Sequence, residues 1–231
     1  MTMPDLPSSS AWIALGVQHA VLARAMPAVR HDLAAPLSVM RMGTTVLKRR
    51  LADGELPPAQ AVERVEQLET HLASLTDSAR RLRHWDLQAP PASAPLRATA
   101  QLAQQWAQPL LALRGLAVEL ADGGDTLPDT PAAQHLLLCL LLGAVHLLAE
   151  APAAPACIRI GPVPGQANAL RVQAEGLAHR GLAHQGLAEQ SLPAPQAQGM
   201  PPLDGAALQH LARHGGADLR WGDGWVEVTA P

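Results

Sequence analysis

The chain has 231 residues, 48% of them hydrophobic, and a formal net charge of -3. That is enough apolar material for one large or two small domains, and it leaves no basic excess of the kind that draws a chain onto nucleic acid. Cys139 and Cys157 are the only cysteines and form no CxxC pair, which argues against a disulfide framework and for a reducing, cytoplasmic setting.

The first residues carry no positive stretch ahead of an apolar one, so a signal peptide is not expected. The most apolar run, Leu136 to Leu148, is shorter than the ~20 residues that span a bilayer. The expectation is a protein without membrane insertion that receives its signal through a partner.

Residues 1–10 are expected to be disordered, with Ser8, Ser9 or Ser10 available to cap a helix that runs to about Leu51. Pro27 lies inside it and predicts a kink or break just before His31. Ala52-Asp53-Gly54 ends the element, and Pro57-Pro58 opens a second helix to about residue 87. Pro90, Pro91 and Pro95 mark a stiff linker over 90–95. The domains expected are therefore a helical hairpin over 11–89 and a second domain over 96–231.

Both helices of the hairpin carry a heptad stripe. Leu33, Leu37, Met40, Thr44, Leu47 and Leu51 recur at alternating steps of four and three. Ala61, Val65, Leu68, Leu72, Leu75, Ala79 and Leu82 do the same. Two such helices cannot bury that surface alone, whereas a dimeric four-helix bundle can.

The remainder reads as mixed α and β. A helix is predicted over 96–114, a strand over 116–120, and a buried helix over 131–149. Strands follow at Cys157–Ile160 and Ala169–Gln173, and a short helix at 203–213. A closing hairpin turns at Gly222-Asp223-Gly224. Between them, Gly176-Leu-Ala-His-Arg, Gly181-Leu-Ala-His-Gln and Gly186-Leu-Ala-Glu-Gln form a five-residue near-repeat. With the prolines after it, this predicts an irregular segment over 176–202.

At about 100° per residue, His31 lies about 200° from the heptad stripe of its helix. It should face solvent or a docking partner, with Asp32 next to it. An exposed imidazole can be approached in line, and an adjacent acid can orient the ring or take its proton. That chemistry suits phosphoryl transfer through a histidine.

The segment His31-Asp32-Leu33-Ala34-Ala35-Pro36-Leu37 resembles the H-box of two-component sensor histidine kinases and related histidine phosphotransferases. The family pattern is His, an acid, Leu or Phe, a variable residue, a polar residue, Pro and Leu. The resemblance implies that His31 carries the phosphoryl group and that Asp32 holds the general-base position. Ala35 departs from the Thr or Asn that often positions water for dephosphorylating a response regulator.

Residues 96–231 resemble the ATP-binding domain of the same family in their order of elements. Leu136 to His146 is similar to the helix that bears the N-box, and Val172 to Gly176 to the strand end that bears Asp-x-Gly. Leu208 to Gly216 with the closing hairpin is similar to the family's last helix, Gly-Gly turn and strands. On that alignment the two N-box asparagines fall at Cys139 and Gly143, and the adenine-reading aspartate at Ala174 with Glu175 alongside. Cys139 and Gly143 offer neither oxygen to Mg²⁺ nor donors to phosphate.

The resemblance therefore implies an α+β protein: a dimerising hairpin followed by a degenerate histidine-kinase-type α/β sandwich, with no ATP, metal or other cofactor of its own. Its expected partners are a second copy of the chain and a response-regulator receiver domain, which would supply Mg²⁺, or a hybrid kinase. Two alternatives stay open: a divergent kinase that still uses ATP, and a non-catalytic pseudokinase adaptor.

Other residues read as structural. His210 and His214 share a helix face at i, i+4 without a third ligand in view. The spacing of His179 and His184 follows from the repeat. Trp12, Trp85, Trp106, Trp221 and Trp225 are expected in packing roles. Arg80, Arg81 and Arg83 are expected on a solvated face.

Overall fold

The structure is a computed structural model that describes residues 8–82, 92–151, 155–177 and 203–231, the side chains of 28, 32, 81 and 177 apart. The expectations for residues 1–7, for Pro90 and Pro91 in the linker, for 178–202, and for Arg83, Trp85, His179 and His184 lie outside those residues. So does any statement on the side chains of Asp32 and Arg81. The fold is α+β.

The chain divides into two compact units, residues 26–90 and residues 1–25 with 91–231. The hairpin span of 11–89 read from sequence thus includes residues 11–25, which the packing groups with the α/β unit.

Helix α1, Ser9–Ala52, contains both Pro27 and Pro36. Of the kink or break expected before His31, the break does not occur. Proline removes one intrahelical hydrogen bond, and turns formed on either side keep the element continuous, although the division between units falls beside Pro27. The stop at Ala52–Gly54 forms as read. Gly54 takes φ 67, a left-handed value that suits glycine. Glu55 N–H then reaches back to Arg50 O at 3.1 Å and closes the helix end. Helix α2, Pro58–Arg81, starts on a proline in its first turn, where a missing N–H costs nothing.

Within the hairpin the heptad stripe splits into two rows. Leu33, Met40 and Leu47 of α1 are half-buried, as are Ala61, Leu68 and Leu75 of α2 and Leu82 at its C-cap. These face the sister helix: a β-carbon on Gly43 would lie 3.1 Å from Leu68 Cδ2. The alternate positions stay open. Leu37 is 50% exposed, Leu51 53%, Val65 44% and Leu72 54%. One heptad position closes the hairpin and the other leaves an apolar row uncovered.

The other unit is built on a five-stranded mixed sheet. Its strands are β2 (Ala117–Leu120), β4 (Pro155–Val163), β5 (Gln166–Leu177), β6 (Asp218–Gly222) and β7 (Trp225–Thr229). Their order is β2-β4-β5-β7-β6, with β2 parallel to β4 and the rest antiparallel. Helices α3 (Leu96–Ala112), α4 (Gln134–Ala149) and α5 (Gly205–His214) cover one face. Strands β1 (Ser93–Pro95) and β3 (Pro131–Ala133) form a small separate ribbon.

Strand alternation separates core from surface. Val118, Ile158, Ile160, Leu170, Val172, Leu219, Val226 and Val228 are buried against the helices. Helix α4 is buried nearly all round, with Leu138, Leu140, Leu141 and Leu142 at 0% exposure, each contributing about 2 kcal/mol of burial. That is why the run from Leu136 to Leu148 is so apolar. The opposite sheet face carries Glu119, Arg159, Arg171, Glu175, Arg220 and Glu227 as ion pairs across strands.

The opening turns of α1 belong to this unit through Ala14, Val17, Ala20, Val21 and Ala25, all buried, and through an Arg24–Glu150 ion pair at 3.4 Å. Of the tryptophans, Trp106 is buried, but Trp12 and Trp221 are exposed. The packing role expected for those two is not what the fold uses. A β-carbon on Gly205 would lie 3.5 Å from the Trp221 ring.

Candidate functional site

His31 is exposed on α1. The inward row of its helix is Leu33, Pro36, Met40, Gly43 and Leu47, all half-buried. At about 100° per residue His31 stands about 160° from the middle of that row, on the side away from α2. Ala35, one turn on, is exposed too. Asp32 is the next residue of the same helix.

Sequence reading missed a second feature of that side. Val39, Met42 and Val46 are large apolar side chains left at 48%, 69% and 49% exposure. They follow His31 and Ala35 at helical steps, so the histidine stands at the head of an exposed apolar strip. Valine and methionine at non-heptad positions were the available signal.

The positions aligned with the kinase nucleotide motifs take up other work. Cys139 is fully buried, and burial pushes its thiol up to about 12, so it is a neutral core group. Its Sγ lies 3.7 Å from His135 Nε2, one turn back. Gly143 packs so tightly on Leu208 of α5 that a β-carbon would collide with that side chain. Ala174 pairs with Ile158 on the helix-covered face of the sheet. Glu175 follows on the opposite face, 3.1 Å from Arg159 Nη2. Alternation along β5 therefore keeps the Glu175 carboxylate away from the side on which Ala174 lies. Gly176 adopts φ 67.

His146, near the end of α4, is buried with its Nε2 unpaired among described groups. Burial first, then the charges of Arg24 and Arg114, lowers its pKa to about 4. It is a neutral interior imidazole at ordinary pH.

Among the described residues no group of three or more His, Cys, Asp or Glu is placed to hold a metal ion. No helix among them is long and apolar enough to cross a membrane.

No protein-family model matches the chain, nor does any curated protein. Solved structures do. The Acinetobacter baumannii histidine kinase AdeS is 17% identical, with a TM-score of 0.39 over 87% of this chain and 96% of that one. A bacterial phosphotransferase is 12% identical, with a TM-score of 0.36 over 100% of both chains. The cytoplasmic segment of the histidine kinase QseC is 16% identical, with a TM-score of 0.36 over 70% of this chain and 93% of that one.

Proposed function

We propose that this chain is a phosphosignalling protein of the two-component histidine kinase class, which accepts and passes a phosphoryl group through His31. The observation that carries the reading is the placement of His31: exposed on a long helix, on the side away from α2, and followed by Asp32. An imidazole nitrogen of His31 attacks the phosphorus of a receiver aspartyl phosphate. The P–N bond forms as the P–O bond to the aspartate breaks, and the aspartate leaves as carboxylate. In reverse the same atoms move back. Mg²⁺ held by the receiver neutralises the phosphoryl oxygens, and Asp32 is the candidate to orient the ring or accept its proton.

The partner would sit on the strip headed by His31, where Val39, Met42 and Val46 offer apolar contact. The uncovered row Leu37, Leu51, Val65 and Leu72 supports pairing with a second copy. A homodimeric four-helix bundle would bury that row in place of water.

The chain's own ATP-driven phosphorylation is not part of this reading. Gly143 and Cys139 are committed to packing, and Glu175 is engaged by Arg159, so at these positions nothing replaces the groups that would hold Mg²⁺ and adenine. We infer that phosphoryl groups reach His31 from a receiver or a hybrid kinase.

The test is incubation of the protein with a phosphorylated receiver from a two-component system. Acid-labile, alkali-stable label on the wild type and none on His31→Gln is the expected result. Equal labelling of both proteins would remove His31 from the mechanism. ATP with Mg²⁺ alone should give no label, and label in that arm would establish a kinase instead. An adaptor role would leave signalling intact in His31→Ala.

A further inference from the structure

The hairpin keeps its charges apart. From Arg30 to Arg50, α1 carries five cations and the single acid Asp32, whereas the first half of α2 carries Glu63, Glu66 and Glu69 against Arg64. Some of these have partners on their own helix: Arg49 pairs with Asp53 at 3.8 Å, and Glu63 accepts from Gln67 at 3.5 Å. Arg41, Lys48, Glu66 and Glu69 are exposed, and among the described residues their side chains have no hydrogen-bond or ion-pair partner.

Their places on the two helices correspond. At about 100° per residue, Arg41 and Lys48 lie about 100–120° from the middle of the inward row of α1, on the side of the open residue Leu37. Glu69 lies about 100° from the middle of the inward row of α2, on the side of the open residues Val65 and Leu72. Each helix therefore carries its charge on the outer flank of its uncovered apolar row. Gly43 lies against Leu68, which fixes the level of the two antiparallel helices. Arg41, two residues before Gly43, is level with the position two after Leu68, next to Glu69.

A two-fold axis along the bundle keeps those levels and sets α1 of one copy beside α2 of the other. We propose that two copies of the chain pair in this way, each α1 against the partner's α2, oriented by an ion pair between Arg41 and the partner's Glu69 that the axis makes twice. Lys48 and Glu66 add charge of the same sign beside each member of the pair. This rests on the dimeric reading of the open heptad row and adds which helices meet and what the chain selects as its mate. The apolar row supplies attraction without direction, and charges flanking such a row set partner choice and orientation. The alternative packing, α1 on α1 and α2 on α2, would bring cations to cations and carboxylates to carboxylates, which disfavours it. The strip of His31, Val39, Met42 and Val46 lies on another side of α1 and stays open to a receiver.

The experiment mixes full-length Arg41→Glu with full-length Glu69→Arg and reads the dimers by native mass spectrometry. In the mixed dimer each reversed side chain faces an opposite charge, whereas each homodimer carries two like-charge pairs. The expected result is a share of mixed dimer well above the statistical value of about half. Each variant alone should pair about tenfold more weakly than wild type in sedimentation, because reversal turns two attractions into two repulsions. A mixture of Arg49→Glu with Glu63→Arg, on the outer faces, should give only the statistical share. A statistical share in the first mixture, or an equal excess in both, would overturn the ion pair and leave the dimer standing. A monomeric wild type would remove dimer and ion pair together, while labelling of His31 by a receiver is read separately. Should a single variant fold poorly, the double swap Arg41→Glu/Glu69→Arg decides: wild-type pairing supports the contact, and pairing as weak as in the sound single variant refutes it.

Discussion

Gly143 of α4 faces Leu208 of α5 with no room for a β-carbon between them. The two helices are sealed at the position where the kinase alignment places a metal-binding asparagine. Leu208 is itself fully buried, so it has nowhere to retreat.

Gly143→Asn should therefore fail to restore nucleotide binding and should instead overpack the α4–α5 contact. A loss of about 1–3 kcal/mol is expected, read as a lower urea midpoint at unchanged slope. A calorimetric trace with ATP and Mg²⁺ should stay flat. Nucleotide binding by this variant, with stability retained, would show that the contact can open.

The two rows of the hairpin should respond differently to substitution. Leu72→Asn, in the exposed row, should shift the molecular mass measured by light scattering from dimer to monomer while the helical circular dichroism is largely kept. Leu68→Ala, in the inward row against Gly43, should destabilise the hairpin itself by about 2 kcal/mol; the site is only half-buried, so this is at the low end for such truncations. If Leu72→Asn left the mass unchanged, the exposed row would not be the pairing surface.

Glu227 is nearly buried yet charged. It accepts from Arg171 Nε at 2.9 Å and pairs with Arg220 at 3.1 Å, while the Arg171 guanidinium stacks 5.1 Å from the Trp225 ring. Glu227→Ala would leave two arginines without their shared carboxylate on the sheet face. Because both arginines are partly exposed and can turn to water, the expected cost is about 1–3 kcal/mol. Chemical denaturation of Glu227→Ala beside Glu227→Gln measures it, with the isostere expected to lose less. Equal loss in both would assign the cost to the carboxylate charge and not to packing.

His146 should make stability fall on acidification. Its folded pKa is lowered to about 4, against ~6.5 when unfolded. Between those values the unfolded chain binds the extra proton, so stability drops as pH falls from about 6.5 toward 4 and levels off below. The contribution is up to about 3 kcal/mol. His146→Leu should flatten that part of the profile relative to wild type. Parallel profiles would mean that the imidazole takes up its proton without unfolding.

How much could be read in advance varied with the range of the interaction. The Gly54 stop, the Pro58 start and the heptad stripe are local, and each appeared where residue type and spacing placed it. The exposure of His31 was equally legible, because helical phase is set by neighbours a few positions away. Pro27 does not break α1, since a local penalty of about 3 kcal/mol yields to the turns formed on either side.

What sequence alone determined was the set of elements, their faces and the chemistry available at His31, because those depend on short-range geometry. Which half of the heptad closes the hairpin and the meeting of Gly143 with Leu208 were decided by tertiary structure. Contacts between distant segments depend on how whole surfaces fill space, and no periodicity along one strand or helix encodes the partner on another.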